Sequence, residues 1–90
     1  MKPTGKYVIF REDRDEFIAA ERRVHEADLL GWAPTPAAAV KYDALSAAQQ
    51  TAQRIADKKG YGLTVCELHE SATQMALKDS VRVYPSRSRR

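Results

Sequence analysis

Apolar and polar positions already divide the first third of the chain into elements. Lys6-Tyr7-Val8-Ile9-Phe10-Arg11 sets aromatic and β-branched residues between charged ends, the composition of a strand. Glu12-Asp13-Arg14-Asp15 is fully charged and predicts an exposed turn, without the Gly or Asn that favours a tight two-residue hairpin. Glu16 to Glu21 reads as a second strand. A helix over residues 13–30 competes with it, because Phe17, Ala20, Val24, Ala27 and Leu30 recur at helical spacing among good helix formers. Gly31-Trp32-Ala33-Pro34-Thr35-Pro36 is the clearest break, since its two prolines exclude a continuing helix. Pro36 suits the first position of a short helical turn capped by Thr35. Trp32 is expected to pin this loop to the core.

The second half carries the most secure element, a helix over Ser46–Lys59. Ser46 and Gln49 have the spacing of a capping box, and Ala47, Ala48, Thr51, Ala52, Ile55 and Ala56 share one face. Lys58 and Lys59 complement the dipole at its C-terminus, and Gly60 supplies the stop. Ile55 is the only large anchor on an otherwise Ala-lined face, so the helix can lie close against a sheet. Tyr61 to His69 predicts a strand, Glu70 to Lys78 a second and weaker helix, and Val81-Arg82-Val83-Tyr84 a final edge strand ended by Pro85. Together these elements predict an α+β fold: a small antiparallel sheet of three to four strands with one main Ala-rich helix packed on it. Residues 1–85 form a single domain, followed by a disordered basic tail over 86–90.

Composition agrees with one small globular unit. Of the 90 residues 43% are hydrophobic, and 14 of these are Ala, which leaves one modest core. The longest apolar run, Ala37-Ala38-Ala39-Val40, is far too short to span a bilayer, and no secretory core follows the N-terminus, so no membrane role is expected. A single cysteine, Cys66, permits no internal disulfide and suits a cytoplasmic setting. Net charge is +3, but Arg87, Arg89 and Arg90 account for it. The body carries twelve basic against twelve acidic groups, which argues against a dedicated basic DNA-binding face.

Candidate chemistry is sparse. Cys66 and His69, three apart in a strand, point to opposite faces and cannot chelate a metal unless the strand bends or ends between them, so Cys66 reads as a buried hydrophobe, with a small enzyme or metal protein centred on His69, Glu67 and Cys66 as a third reading. Glu67 and His69 share a face, which reads as a solvated polar strand face or, functionally, as a polar contact surface or a general base. The Arg11–Glu16 cluster lacks the alternating oxygen pattern of a calcium loop, and Arg22-Arg23 with Lys41 is diluted by Glu21 and Glu26. Gly60-Tyr61-Gly62 precedes a strand, not the helix N-terminus that a phosphate cradle requires. No catalytic residue, cofactor or metal is expected. Arg87, Arg89 and Arg90 could bind nucleic-acid phosphates without sequence preference.

The layout resembles small proteins carried by phages and other mobile elements. Lys6-Tyr7-Val8-Ile9, the acidic turn, the Trp32 loop, Ala39-Val40-Lys41-Tyr42-Asp43, the Ala-rich helix and a strand closing near Glu67-Leu68 carry the resemblance over about residues 5–70. Some members are anti-CRISPR-like or other host-takeover proteins. The resemblance implies action by binding rather than catalysis, against a host defence or another host process. The neutral body departs from strongly acidic DNA mimics.

The expectation is therefore a non-enzymatic interaction protein with a protein partner, engaged by β-augmentation or surface docking, with homodimerisation as a further use of such surfaces. Arg82 and Tyr84 on the edge strand, with Glu67 and His69, are the expected partner-binding residues. The alternative is a small nucleic-acid-associated module using Arg87, Arg89 and Arg90.

Overall fold

The computed structural model describes residues 2–24, 27–70 and 75–86. Five strands form one antiparallel sheet: β1 (Lys2–Arg11), β2 (Glu16–Val24), β3 (Ala27–Ala33), β4 (Leu63–Glu70) and β5 (Met75–Val83), in the order β3-β2-β1-β4-β5. The 15-residue helix α1 (Leu45–Lys59) joins β3 to β4 and carries the chain back to the free side of β1. The class is α+β as expected, with five strands in place of three to four.

The differences, strand β3 and the first half of β5, fall where helices competed. Residues 16–24 and 27–33 form the paired strands β2 and β3, with Phe17 opposite Ala33 and Ile18 opposite Trp32. Strand periodicity wins because Ile18 and Trp32 turn toward α1 while Phe17 and Ala33 bury on the other face. Ala20, central to the helical stripe, is exposed. Gly31, Trp32 and Ala33 thus belong to β3, and the break begins at Pro34. Of the expected helix over 70–78, residues 75–78 are strand, with Leu77 opposite Leu68 and Lys78 opposite Glu67; residues 71–74 lie outside the described chain. Met75 and Leu77 supply too little apolar surface for a helix, whereas the free edge of β4 offers the segment backbone partners from Glu70↔Met75 to Leu63↔Val83.

The short turn at Pro36–Ala38 forms where Pro36 predicts it, with Thr35 in the cap position but making no side-chain cap bond. Helix α1 starts two residues earlier than the Ser46 cap implies. Ala44 is the N-cap, and Ser46 lies inside the first turn. Leu45 packs against the core, and that contact draws the helix start forward. At the other end Gly60 takes φ of 80° and its N–H donates to the Ala56 carbonyl at 2.8 Å.

The sheet is buried on both faces at its centre. Toward α1, Ile9, Ile18, Leu63, Val65 and Val83 meet Ala48, Ala52, Ile55 and Ala56. On the opposite face Val8, Phe17, Ala39 and Cys66 cluster, with Phe10 against Phe17 at 4.9 Å between ring centroids. β1 and β2 pair only at Phe10↔Phe17 and Arg11↔Glu16. Beyond that, the segment Val40–Tyr42 is wedged between them. Val40 N–H donates to the Ile18 carbonyl, and Tyr42 and Tyr7 exchange backbone bonds, each at 2.8 Å. The molecule measures 47 × 23 × 23 Å.

Candidate functional site

β5 is an outer strand, paired to β4 through the register Leu63↔Val83, Thr64↔Arg82 and Val65↔Val81. Alternation turns Val81 and Val83 toward the helix and Arg82 to the other face. There Arg82 Nε lies 3.5 Å from Glu12 Oε2, and the Glu12 carboxylate also accepts the Thr64 hydroxyl. Arg82 is thus tied to the β1–β2 turn while two-thirds of its side chain stays in solvent. A hydrogen bond to Tyr84, then the charge of Glu12, holds its guanidinium above its ordinary pKa. Tyr84, one residue past β5, rests its ring beside Gly62, where a Cβ would come within 3.3 Å, yet stays 55% exposed. Arg82 and Tyr84 therefore form one presented pair at the end of an open edge.

Glu67 and His69 do not join that pair. Each side chain is under one-fifth exposed, and His69 Nε2 lies 3.1 Å from Glu67 Oε1. Glu67 is three residues from Thr64, the partner of Arg82, so the two sets occupy opposite faces about 10 Å apart along the strand. The expected partner-binding residues thus split into an exposed set and a half-buried internal contact. Cys66 faces Val8 and Phe17, away from His69. Among the described residues no group of three or more His, Cys, Asp or Glu is placed to hold a metal ion. Arg87, Arg89 and Arg90 lie outside the described residues.

Three features escape a reading of the sequence. The last turns of α1 hold the segment after β5: Gln53 Nε2 donates to the Tyr84 carbonyl at 2.8 Å, and the Ser86 N–H donates to Asp57 Oδ1 at 2.6 Å. The Ser86 N–H, followed by the Gln53 amide, keeps the Asp57 carboxyl below its ordinary pKa. The i,i+4 spacing of Gln53 and Asp57 is visible in the chain, but their partner, about 30 residues away, is not. Secondly, Glu21 on β2 binds both Arg54 of α1 and the Tyr42 hydroxyl, the latter at 3.2 Å. Burial, reinforced by the Glu21 charge, pushes the Tyr42 phenol well above its ordinary value. Thirdly, the opposite edge strand, β3, exposes Leu29 by 54%. Among the described residues no helix is long and apolar enough to cross a membrane. Compared with known proteins, the chain matches no family model, no curated protein and no solved structure.

Proposed function

We propose that this chain is a non-enzymatic binding protein that takes a segment of a protein partner along the open edge of β5. The observation that carries this reading is the nine-residue outer strand ending in the exposed Arg82–Tyr84 pair. An outer strand offers backbone donors and acceptors at regular spacing to an extended segment. Arg and Tyr beside it are the residue types enriched among interface anchors, each combining a large contact area with a polar group. Glu12 and Gly62 orient both side chains before a partner arrives, which lowers the ordering cost of binding. Within this reading, inhibition of a host defence or host process rests on the pattern resemblance alone, and a homodimer would be the case in which the partner is a second copy.

The test is capture of a partner from bacterial lysate on immobilised protein, followed by amide exchange of the complex. Wild type should retain a partner that Arg82→Glu and Tyr84→Ala release, each losing about 2 kcal/mol or more of binding free energy. Residues 75–83 should gain exchange protection in the complex. Protection confined to α1 or β3 would place the interface elsewhere and refute the edge-pairing reading.

A further inference from the structure

Strand β3 ends the sheet on the side opposite β5, and among the described residues no strand lies along its outer edge. After Ala33 the chain turns inward to Val40 and Tyr42, between β1 and β2. One bond fixes which backbone groups line that edge. The Val40 N–H donates to the Ile18 carbonyl at 2.8 Å, so Ile18 directs its backbone away from β3. Trp32 stands opposite Ile18, and in an antiparallel ladder both members of such a pair point away from each other. Trp32 therefore turns its N–H and C=O out of the sheet, and alternation adds those of Leu30 and Asp28. The irregularity between Ile18 and Ala20 leaves this spacing intact, because its extra residue, Ala19, lies on β2.

This edge fits itself. An antiparallel copy centred on Leu30 sets Leu30 opposite Leu30, and Asp28 opposite Trp32 on either side of the two-fold. Each of these pairs exchanges both backbone bonds. Moving the centre to Gly31 would set Asp28 opposite Pro34, which has no N–H to give. The side chains agree with the Leu30 centre. Leu30 packs toward the α1 side of the sheet, so Leu29, 54% exposed, lies on the other face. There the register places it opposite Gly31 of the second copy. Gly31 adds no side chain, and a Cβ built on it would lie 3.1 Å from the Ala20 Cβ. Leu29 thus lies over Gly31 and against the exposed Ala20, and the two-fold makes the same contact twice. Residues 29–33 include no charged residue, so no like charges meet across the axis. They also include no lysine or proline of the kind that blunts natural sheet edges. We propose that β3 pairs with β3 of a second copy, antiparallel about Leu30, joining two five-stranded sheets into one. Self-pairing closes on two copies, whereas β3 on the β5 edge of a neighbour would grow an open filament. The contact uses the edge opposite β5 and does not rest on partner binding there.

One seven-residue strand pair is small beside the about 1,600 Å² of a standard stable interface, so the dimer should be weak, with a dissociation constant of about 10–100 μM. Sedimentation velocity of the full chain from about 5 μM to about 1 mM measures it. Amide exchange by NMR over the same series reads the register. At the highest concentration the Leu30 and Trp32 amides should slow about five-fold or more, the share expected when most chains are paired. Those of Leu29 and Gly31 already face β2 and should keep their rates. Leu29→Lys changes an exposed position, so its urea midpoint should match wild type while its dissociation constant rises about ten-fold or more. Arg82→Glu should leave the monomer–dimer equilibrium unchanged, which separates this contact from partner binding at β5. The proposal is overturned if wild type stays monomeric at about 1 mM, if Leu29→Lys associates as wild type does, or if exchange slows equally at all four amides. Concentration-dependent protection confined to residues 75–83 would also overturn it, and would seat the second copy on β5.

Discussion

The guanidinium carbon of Arg11 lies 3.6 Å from the centroid of the Tyr61 ring. Trp32 stands on the same group at 5.5 Å, and the two rings meet edge to face with centroids 5.9 Å apart. One side chain at the end of β1 therefore joins β3, through Trp32, to the connection between α1 and β4, through Tyr61. Asp13 fixes the guanidinium plane with bonds of 2.7 and 3.1 Å to Nε and Nη2, and this pairing raises the Arg11 pKa while lowering that of Asp13.

Replacing Arg11 should therefore cost more than a surface charge normally does. Arg11→Ala is expected to lower stability by about 1–2 kcal/mol, the range of a largely desolvated cation–π contact. Arg11→Lys should recover less than half, because an ammonium has neither the flat face for Tyr61 nor the fork for Asp13. Urea unfolding followed by the fluorescence of Trp32, the one tryptophan, measures both. Full recovery by lysine would mean that charge alone matters.

The Ala-lined face of α1 sets a second expectation. Ala48, Ala52, Ile55 and Ala56 are all fully buried against the sheet. Ile55→Ala removes the only large fully buried side chain on that face and should cost about 3–4 kcal/mol. In a domain of this length, that approaches the whole stability. Ala52→Leu inserts volume where the backbones lie close and should cost about 1–3 kcal/mol, although it raises hydrophobicity. A stabilising Ala52→Leu would show that the helix stands off the sheet. Chemical denaturation of the two variants decides it.

The same face explains what could be read from the chain. Helix α1, β1, β4 and the edge position of Val81–Val83 each carry an unmixed local pattern, so spacing alone locates them. The β2–β3 hairpin does not, because Phe17, Ala20, Val24, Ala27 and Leu30 satisfy a helical stripe while Glu16–Glu21 also reads as a strand. Only cross-strand burial of Ile18 against Trp32 separates the two. Residues 75–78 were hidden for a related reason, their strand state being fixed by pairing with β4 rather than by their own sequence. At the candidate site, exposure of Arg82 and Tyr84 follows from their place on an edge. The separation of Glu67 and His69 from them follows from alternation together with the register, and register is a tertiary fact. The Gln53–Asp57–Ser86 clamp depends on where the chain returns after β5, which no local pattern encodes.

Tyr42 gives a pH dependence with a defined sign. Its phenol ordinarily titrates near 10.0, and in the fold burial and then the Glu21 carboxylate push it well above that value. The unfolded chain therefore loses this proton first as pH rises. The stabilisation is fully present below the ordinary value and declines as pH climbs through and above it, with a limiting slope of about 1.4 kcal/mol per pH unit. Tyr42→Phe should be less stable than wild type at neutral pH, through the lost bond to Glu21, and should show a shallower decline between about pH 9 and 11. Equal slopes for the two proteins would remove Tyr42 as the source. Denaturant midpoints across that range give the answer.

The wedge between β1 and β2 makes the most specific demand on the backbone. Two residue pairs join these strands directly, and farther along the sheet Val40 and Tyr42 supply the backbone bonds between them. Val40 donates to β2 and Tyr42 exchanges bonds with β1, so the segment acts as a short sixth strand whose two sides face different neighbours. Lys41 steadies it from outside, its ammonium donating to the Ala37 and Ala39 carbonyls at 2.9 and 3.0 Å. Val40→Pro deletes the donor to the Ile18 carbonyl and should destabilise by about 1–3 kcal/mol. Loss of the wedge should loosen one half of the sheet selectively. Native-state amide exchange should quicken across β2 and β3, while the β1–β4 ladder, paired from residue 2 to residue 11, keeps most of its protection. Lys41→Met keeps every backbone donor and should leave the exchange pattern nearly as in wild type. A uniform loss of protection across all five strands in Val40→Pro would show that the halves open together, and that the two direct pairs at Phe10 and Arg11 suffice to couple them.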